Sequence, residues 1–112
     1  MWQLPESIRE IEEAGEDGLV LELIDSFDDD TAKRFKRLRH AVGRLDAVAL
    51  KAEAHAIRGS ARQMGADQLA ELCLALETVT PALECQVNQA EELFAQVRSD
   101  MSDYVKAKGR VS

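Results

Sequence analysis

The chain has 112 residues, 46% of them hydrophobic and 31% charged, a composition typical of one globular domain rather than of a disordered chain or a multidomain enzyme. Its net charge of −7 argues against a nucleic-acid partner, because phosphate contacts need a basic surface. The sequence has no stretch of about 18 uncharged apolar residues and no export signal at its N-terminus, so we expect a cytoplasmic protein without a membrane partner.

The first predicted element is a short helix over residues 5–14. Pro5 in its first turn and Gly15 just past its end are typical helix boundaries. Ile8 and Ile11 are its apolar residues, so we expect this helix to dock as a lid on the rest of the fold.

The second element carries hydrophobic residues at helical spacing up to Phe27, followed by the aspartate run 28–30. We expect this run to bend the chain and to cap the next helix from Thr31. A calcium loop is the less favoured interpretation. Such a loop needs glycine and glutamate at its sixth and twelfth positions, where this sequence has Lys33 and Arg39.

The remaining helices are predicted from hydrophobic periodicity and from their terminal residues. The helix after the aspartate run ends near Gly43, and Asp46 caps a long helix that extends to Met64, with Gly65 as its left-handed terminator. Another helix closes around the Thr80-Pro81 pair, and the last one ends near position 108. The apolar markers of the helices outside 46–64 are Phe35, Leu38, Val42 and Leu45; then Leu69, Leu72, Cys73, Leu76 and Val79; then Ala90, Leu93, Phe94, Val97, Met101, Tyr104 and Val105.

Short connections make consecutive helices antiparallel neighbours. We therefore predict an all-α fold, an antiparallel up-down-up-down four-helix bundle with a short extra N-terminal helix. One of the four helices is preceded or bent by the aspartate run. Residues 1–112 form a single domain, which we expect to be a monomer.

Charge is distributed unevenly along the chain. Residues 1–30 carry a net charge of −10, residues 31–65 a net charge of +7 and residues 66–112 a net charge of −4. The cations between Lys33 and Arg39 are explained by a solvated helix face, an interpretation that stays open beside a functional one.

The helix over residues 46–64 separates an apolar stripe from a basic flank. The stripe, at spacings of three and four, contains Ala47, Leu50, Ala54, Ile57, Ala61 and Met64. On the outer flank lies His55, with Lys51 four residues before it and Arg58, Gly59 and Arg62 within two turns after it. Cations beside a histidine disfavour its protonated form, so the ring should stay neutral and keep a nucleophilic nitrogen.

A phosphoryl group on that nitrogen would face the same cations, and Arg58 could donate two hydrogen bonds to its oxygens. Gly59 lies inside the helix, where glycine costs about 1 kcal/mol relative to alanine. It either gives a partner's backbone room beside His55 or is a tolerated exposed glycine.

A longer motif contains these residues. It consists of Ala54-His55-Ala56-Ile57-Arg58-Gly59-Ser60-Ala61, then Met64-Gly65-Ala66, Leu69, Cys73 and Leu76-Glu77. This stretch resembles the histidine-containing phosphotransfer (HPt) domain of two-component phosphorelays, and the helical pattern on both sides matches that family over nearly the whole chain.

The resemblance implies a four-helix bundle whose surface histidine takes a phosphoryl group from the aspartate of one receiver domain and passes it to another. It implies that His55 is the phosphoacceptor, through Nε2, that Arg58 neutralises the phosphate and that Gly59 provides clearance. Glu77 would orient the imidazole by holding its other N–H. The residues expected to take part in partner docking are Lys51, Ser60 and Arg62.

The implied partners are response-regulator receiver domains and a hybrid sensor histidine kinase. The receiver would bring Mg²⁺ and the acidic pocket, so we expect a phosphocarrier with no intrinsic cofactor, no metal site and no kinase or phosphatase activity. An enzyme is also disfavoured because the sequence lacks Gly-x-x-x-x-Gly-Lys and has no glutamate three residues before either histidine. A phosphorylation-independent adaptor or decoy that docks a receiver through the same face remains the alternative.

The other notable side chains have structural interpretations. His40 is interpreted as a surface histidine rather than a second phosphorylation site, and Trp2 and Tyr104 as packing residues. We expect Cys73 in the core and Cys85 in a connection, both reduced, because their spacing matches no metal motif and a core of this size needs no disulfide.

Overall fold

The computed structural model describes residues 2–109, which fold into five helices and no strands. The helices are α1 (Glu6–Glu13), α2 (Asp17–Gly43), α3 (Ala47–Gln63), α4 (Asp67–Leu76) and α5 (Leu83–Gly109). The all-α prediction is therefore confirmed. The two longest helices, α2 and α5, have 27 residues each and span about 40 Å at 1.5 Å per residue.

Helices α2–α5 form the predicted antiparallel bundle. Helix α3 packs between α2 and α4, and α5 packs against both α4 and α2, which closes the ring. Ion pairs show that α2 and α5 run antiparallel. Asp28, early in α2, meets Arg98 of α5, whereas Arg39, later in α2, meets Glu91, which is earlier in α5. Helix α1 packs on α2 with Ile8 buried, as predicted for the lid.

The prediction that the aspartate run 28–30 bends the chain and caps a new helix is wrong. Helix α2 continues through it without interruption. Asp29 and Asp30 pair with Lys33 and Arg34 four residues later, at 3.0 Å in both cases, and Asp28 pairs with Arg98 of α5. The core stripe also continues across the run, so burial together with these ion pairs overrides the weak helix propensity of aspartate. The buried residues of α2 are Val20, Ile24, Phe27, Thr31, Phe35, Leu38 and Ala41.

The predicted ends of α3 are confirmed. The Asp46 side chain accepts a hydrogen bond from the Ala49 backbone N–H at 3.0 Å, which caps the first turn. Gly65 follows the helix with φ of +72°, and a Cβ there would lie 3.2 Å from Pro5 Cβ. The position therefore requires glycine for its backbone angle and for its close contact with the N-terminal segment.

Helix α4 ends earlier than predicted, at Leu76 instead of near the Thr80-Pro81 pair. Beyond Leu74 the backbone tightens, with the Glu77 N–H donating to Leu74 O at 3.2 Å, and the residue before a proline avoids helical angles. Val79, predicted as an apolar marker of this helix, lies outside it and is exposed.

Three further residues differ from their predicted places. Leu45 marks no helix: it occupies the left-handed position after α2, with φ of +55°, and is 86% exposed. Its N–H donates to Val42 O, as in the motif that usually ends helices with glycine. Ala47 is exposed at the start of α3 rather than part of the buried stripe, and Cys85 lies in the first turn of α5 rather than in a connection.

Aromatic side chains pack inside the bundle and also connect the N-terminal segment to it. Phe94 stacks on Phe35 with ring centroids 5.2 Å apart. Trp2 donates from Nε1 to Met64 O at 2.7 Å and meets the Tyr104 ring edge-on. Trp2 and Tyr104 are therefore packing residues, as predicted.

Candidate functional site

His55 lies near the middle of α3, on the face directed away from the core. The buried stripe of this helix, from Leu50 through Ala54 and Ile57 to Ala61, fixes which side faces the bundle. His55 falls opposite that stripe, and its side chain is 65% exposed. A rigid helix therefore presents the imidazole to solvent.

Glu77, the C-terminal cap residue of α4, lies beside this imidazole. Its Oε1 is 3.3 Å from His55 Nδ1, and its Oε2 is 3.3 Å from Arg58 Nε. The glutamate side chain is only 12% exposed, and Oε2 has no aligned hydrogen-bond donor among residues 2–109. A largely desolvated carboxylate therefore holds both the histidine and the arginine at the α3–α4 seam.

Two groups compete for Nδ1 of His55. Arg58 Nη2 lies 3.1 Å from it, and Glu77 Oε1 lies 3.3 Å from it. A neutral imidazole can donate from Nδ1 to the carboxylate or accept there from the guanidinium, but not both. The tautomer that donates to Glu77 leaves the Nε2 lone pair free, and Nε2 has no hydrogen-bond partner in the described part of the chain.

No contact inside the protein and no unusual backbone angle requires a glycine at position 59. Apart from its chain neighbours and the adjoining backbone of α3, a Cβ at this position would meet no atom of residues 2–109 within 4 Å, and its backbone angles are helical. It lies one turn after His55, on the exposed face. The absence of a side chain leaves open space beside the imidazole, which agrees with both explanations of Gly59, room for a partner's backbone and a tolerated exposed glycine.

The predicted docking residues lie around the His55, Arg58 and Glu77 side chains and form no hydrogen bond or ion pair with them. Lys51 and Arg62 are exposed, and neither forms an ion pair with any of residues 2–109. Ser60 is half-buried. Arg62 and Arg58 line a shallow cavity of about 250 Å³ on the α3–α4 seam, together with Asp67, Ala70, Glu71 and Leu74. The structure thus brings His55, Arg58 and Glu77 into direct contact and places the other predicted residues at the margin.

One exposed residue of this face, Val48, was not identified from the sequence. Val48 is 82% exposed, although valine is usually buried. It precedes His55 by seven residues, which is two helical turns, so the two side chains share a face. That spacing was the available signal.

Below the site, Cys73 is fully buried one turn before Glu77. Burial, and secondarily the Glu77 charge, raises the pKa of the Cys73 thiol to about 12. Such a thiol has almost no nucleophilic thiolate near neutral pH. Both cysteines are free, and Cys73 is a core residue, as predicted.

Within residues 2–109, no three potential ligands from histidine, cysteine, aspartate and glutamate are grouped as a metal site would require. In the same range, no helix is long and apolar enough to cross a membrane.

Comparison with known proteins gives two matches. The family model described as the Hpt domain matches residues 22–107. The crystal structure of histidine-containing phosphotransfer protein B (HptB) from Pseudomonas aeruginosa PAO1 is similar with a TM-score of 0.82 and 27% sequence identity, over 93% of this chain and 95% of that chain. No curated protein matches at a comparable level of significance.

Proposed function

Because the chain belongs to the Hpt domain family, and is thus a histidine phosphotransfer protein of two-component signalling, we propose that it relays a phosphoryl group between receiver-domain aspartates through His55. Proteins of this family are phosphocarriers. The observation that carries the proposal is the exposed His55 imidazole, whose Nδ1 faces Glu77 while Nε2 is free.

The proposed transfer is an in-line displacement at phosphorus. The Nε2 lone pair of His55 attacks the phosphorus of a receiver's aspartyl phosphate, the N–P bond forms, and the P–O bond to aspartate breaks, which releases the carboxylate. The Nδ1 proton stays directed at Glu77, whose charge offsets the positive charge that develops on the ring. The reverse step passes the group to the next receiver.

Arg58 has a second position in this proposal. In the structure its guanidinium contacts Glu77 and Nδ1 of His55. When a phosphoryl group arrives, we propose that the guanidinium turns to the phosphate oxygens, because two hydrogen bonds to a dianion are stronger than its present contacts. That movement leaves Glu77 as the sole partner of Nδ1.

The receiver completes the reaction centre. We propose that it supplies Mg²⁺ and the acidic pocket, while this chain supplies the nucleophile, the orienting carboxylate and a phosphate-binding cation. The open space at Gly59 supports close approach of the receiver backbone, and exposed Lys51 and Arg62 favour an acidic partner surface. A hybrid sensor kinase that carries a receiver domain is one such partner.

Phosphotransfer from a purified, phosphorylated receiver tests the proposal. The chain should acquire a phosphate that is labile in acid and stable in base, as expected for phosphohistidine, and His55→Gln should abolish its incorporation. His40→Gln is the matched control, because His40 is an exposed histidine of α2 that lies outside the site. Circular dichroism should show an unchanged helical fold in both variants, since neither side chain is buried.

The adaptor alternative predicts a different result from the same samples. Receiver binding with no phosphate on the wild-type chain would support the adaptor, and phosphate that persists in His55→Gln would overturn the assignment of the phosphoacceptor.

A further inference from the structure

A groove of about 550 Å³ lies between α2 and α5. Its floor is apolar: Ile24 and Met101 are buried at the bottom, and Leu21 and Val105 are half-buried beside them. The lining extends over residues 21–28 of α2 and residues 95–105 of α5, which is about 10 Å and about 15 Å at 1.5 Å per residue. The groove is therefore elongated, and it follows the helix axes for about two turns.

The groove lies on the side of the bundle opposite the α3–α4 seam, where Glu77 contacts His55 and Arg58. Helix α3 packs against α2 and α4, and in the described part of the chain none of its Cα atoms lies within 8 Å of a Cα atom of α5. Trp2 and α1 also leave the groove open, because they contact α5 through Tyr104, which does not line it. A molecule bound in the groove would therefore leave the imidazole exposed.

The α2 wall of the groove is negative. Residues 17–30 contain six acids and no base. Three of these acids pair with cations of α2 and α5, whereas Asp17, Glu22 and Asp25 are exposed and form no ion pair with any of residues 2–109. Arg98, the cation in the lining, is held in one of those pairs. The charge that the groove offers to a partner is therefore negative.

We propose that this α2–α5 groove binds a basic amphipathic helix of a partner protein, which holds the chain on that partner while His55 stays exposed. Apolar side chains at positions i, i+4 and i+7 of such a helix span about 10 Å, the length of the groove on α2. Lysine or arginine beside them would face Asp25 and its acidic neighbours.

Charge favours this occupant over two others. A second copy of the chain would bring together two grooves of the same negative charge in a twofold contact. An anionic lipid surface attracts basic segments and repels an acidic wall. The proposal goes beyond phosphotransfer and does not depend on it, because none of the groove residues contributes to the His55 site.

Synthetic peptides test the groove with the whole chain. The probes are fluorescently labelled peptides of about 18 residues, long enough to form a helix, with leucines at i, i+3 or i+4, and i+7 and lysines on both flanks. Matched peptides carry glutamate in place of lysine. In anisotropy titrations the lysine peptides should bind saturably and the glutamate peptides should not. In ¹⁵N NMR spectra the lysine peptides should shift the amides of Ala95, Ser99 and Ser102 and leave those of α3 unchanged.

Two variants and one control locate the binding. Asp25→Lys should weaken binding of the lysine peptides about tenfold at low ionic strength, and the difference should shrink as salt rises. Ser99→Trp, which fills the groove, should weaken binding at least as much. Glu10→Lys is the control with the same change in charge, at an exposed residue of α1 outside the lining. All three side chains are exposed, so circular dichroism should show an unchanged helical fold.

The inference is overturned if the lysine peptides fail to bind, bind both groove variants as tightly as the wild type, or shift the amides of α3. Glutamate peptides that bind equally well also overturn it, because charge would then play no part. Self-association of the wild-type chain that Ser99→Trp abolishes overturns it as well, because the occupant would then be a second copy.

Phosphoramidate, a small phosphoryl donor, separates this inference from the proposed function. Phosphorylation of His55 at the same rate with and without bound peptide supports a groove remote from the imidazole, and phosphorylation that the peptide blocks overturns it. A wild-type chain that accepts no phosphoryl group from phosphoramidate or from any receiver overturns the proposed function instead, while specific peptide binding would still support the groove.

Discussion

Replacement of Glu77 tests how the site prepares His55. The Glu77→Ala variant removes the carboxylate that lies 3.3 Å from Nδ1 and leaves Arg58 Nη2, at 3.1 Å, as the neighbour of that nitrogen. Donation from Arg58 favours the tautomer with the proton on Nε2, which has no lone pair for attack. A hydrogen bond to a charged acceptor contributes about 1.5 kcal/mol at the lower end of its range, so we expect phosphorylation to slow about tenfold.

The variant Glu77→Gln retains an acceptor oxygen at the same position but no charge. Neutral hydrogen bonds are about half as strong, so its rate should fall only about threefold. Phosphoramidate should be the donor, because receiver docking then plays no part, and ¹⁵N NMR of the His55 ring should report the proton on each nitrogen. Glu92→Ala on α5 provides the control with the same loss of charge at an exposed position. Wild-type rates and an unchanged ¹⁵N spectrum in Glu77→Ala would refute the role of the carboxylate.

Three more predictions concern the scaffold. Leu45→Gly should raise the melting temperature by about 4 °C, because glycine relieves a left-handed φ that costs other residues about 1 kcal/mol; a lower melting temperature in calorimetry would contradict this. Glu12→Gln should destabilise the fold at pH 7 and match the wild type in acid. The hydrogen bond from the Tyr104 hydroxyl is the main reason why the pKa of Glu12 lies below its usual value near 4.5. The ionised Glu12 therefore stabilises the fold above about pH 4.5, and this stabilisation is lost as the pH falls through the folded-state pKa of Glu12. A thiol reagent at pH 8 should modify Cys85 quickly and Cys73 only after denaturation, and two fast thiols in the native protein would contradict the burial of Cys73.

The sequence predicted those features of the fold that depend on local signals. Asp46 and Gly65 identified the ends of α3, because a side-chain cap and a left-handed glycine act within a few residues of the helix they end. The continuity of α2 was not predictable in this way, since it depends partly on Asp28 pairing with Arg98, seventy positions away. Leu45 was also misplaced, because leucine gives no local sign of a left-handed backbone.

In the candidate site, too, the contact that depends on local sequence was predictable, and the contact that depends on helix packing was not. Arg58 lies three residues after His55 on one helix, so their contact follows from helical spacing alone. Glu77 lies on another helix, and its position beside His55 depends on how α3 and α4 are aligned, which periodicity does not specify. Its proposed role came from the family resemblance, and the structure then showed its contacts with both His55 and Arg58.

The early end of α4 makes the contact between Glu77 and His55 sensitive to local unfolding. Glu77 is fixed by the terminal turn of a ten-residue helix, where its N–H bonds to Leu74 O at 3.2 Å. Terminal turns open far more often than helix interiors, and each opening would withdraw the carboxylate from the imidazole while α3 stays folded. The amide of Glu77 should therefore exchange with deuterium faster than that of Ile57, and substitutions that fasten this turn should increase the fraction of molecules competent for transfer.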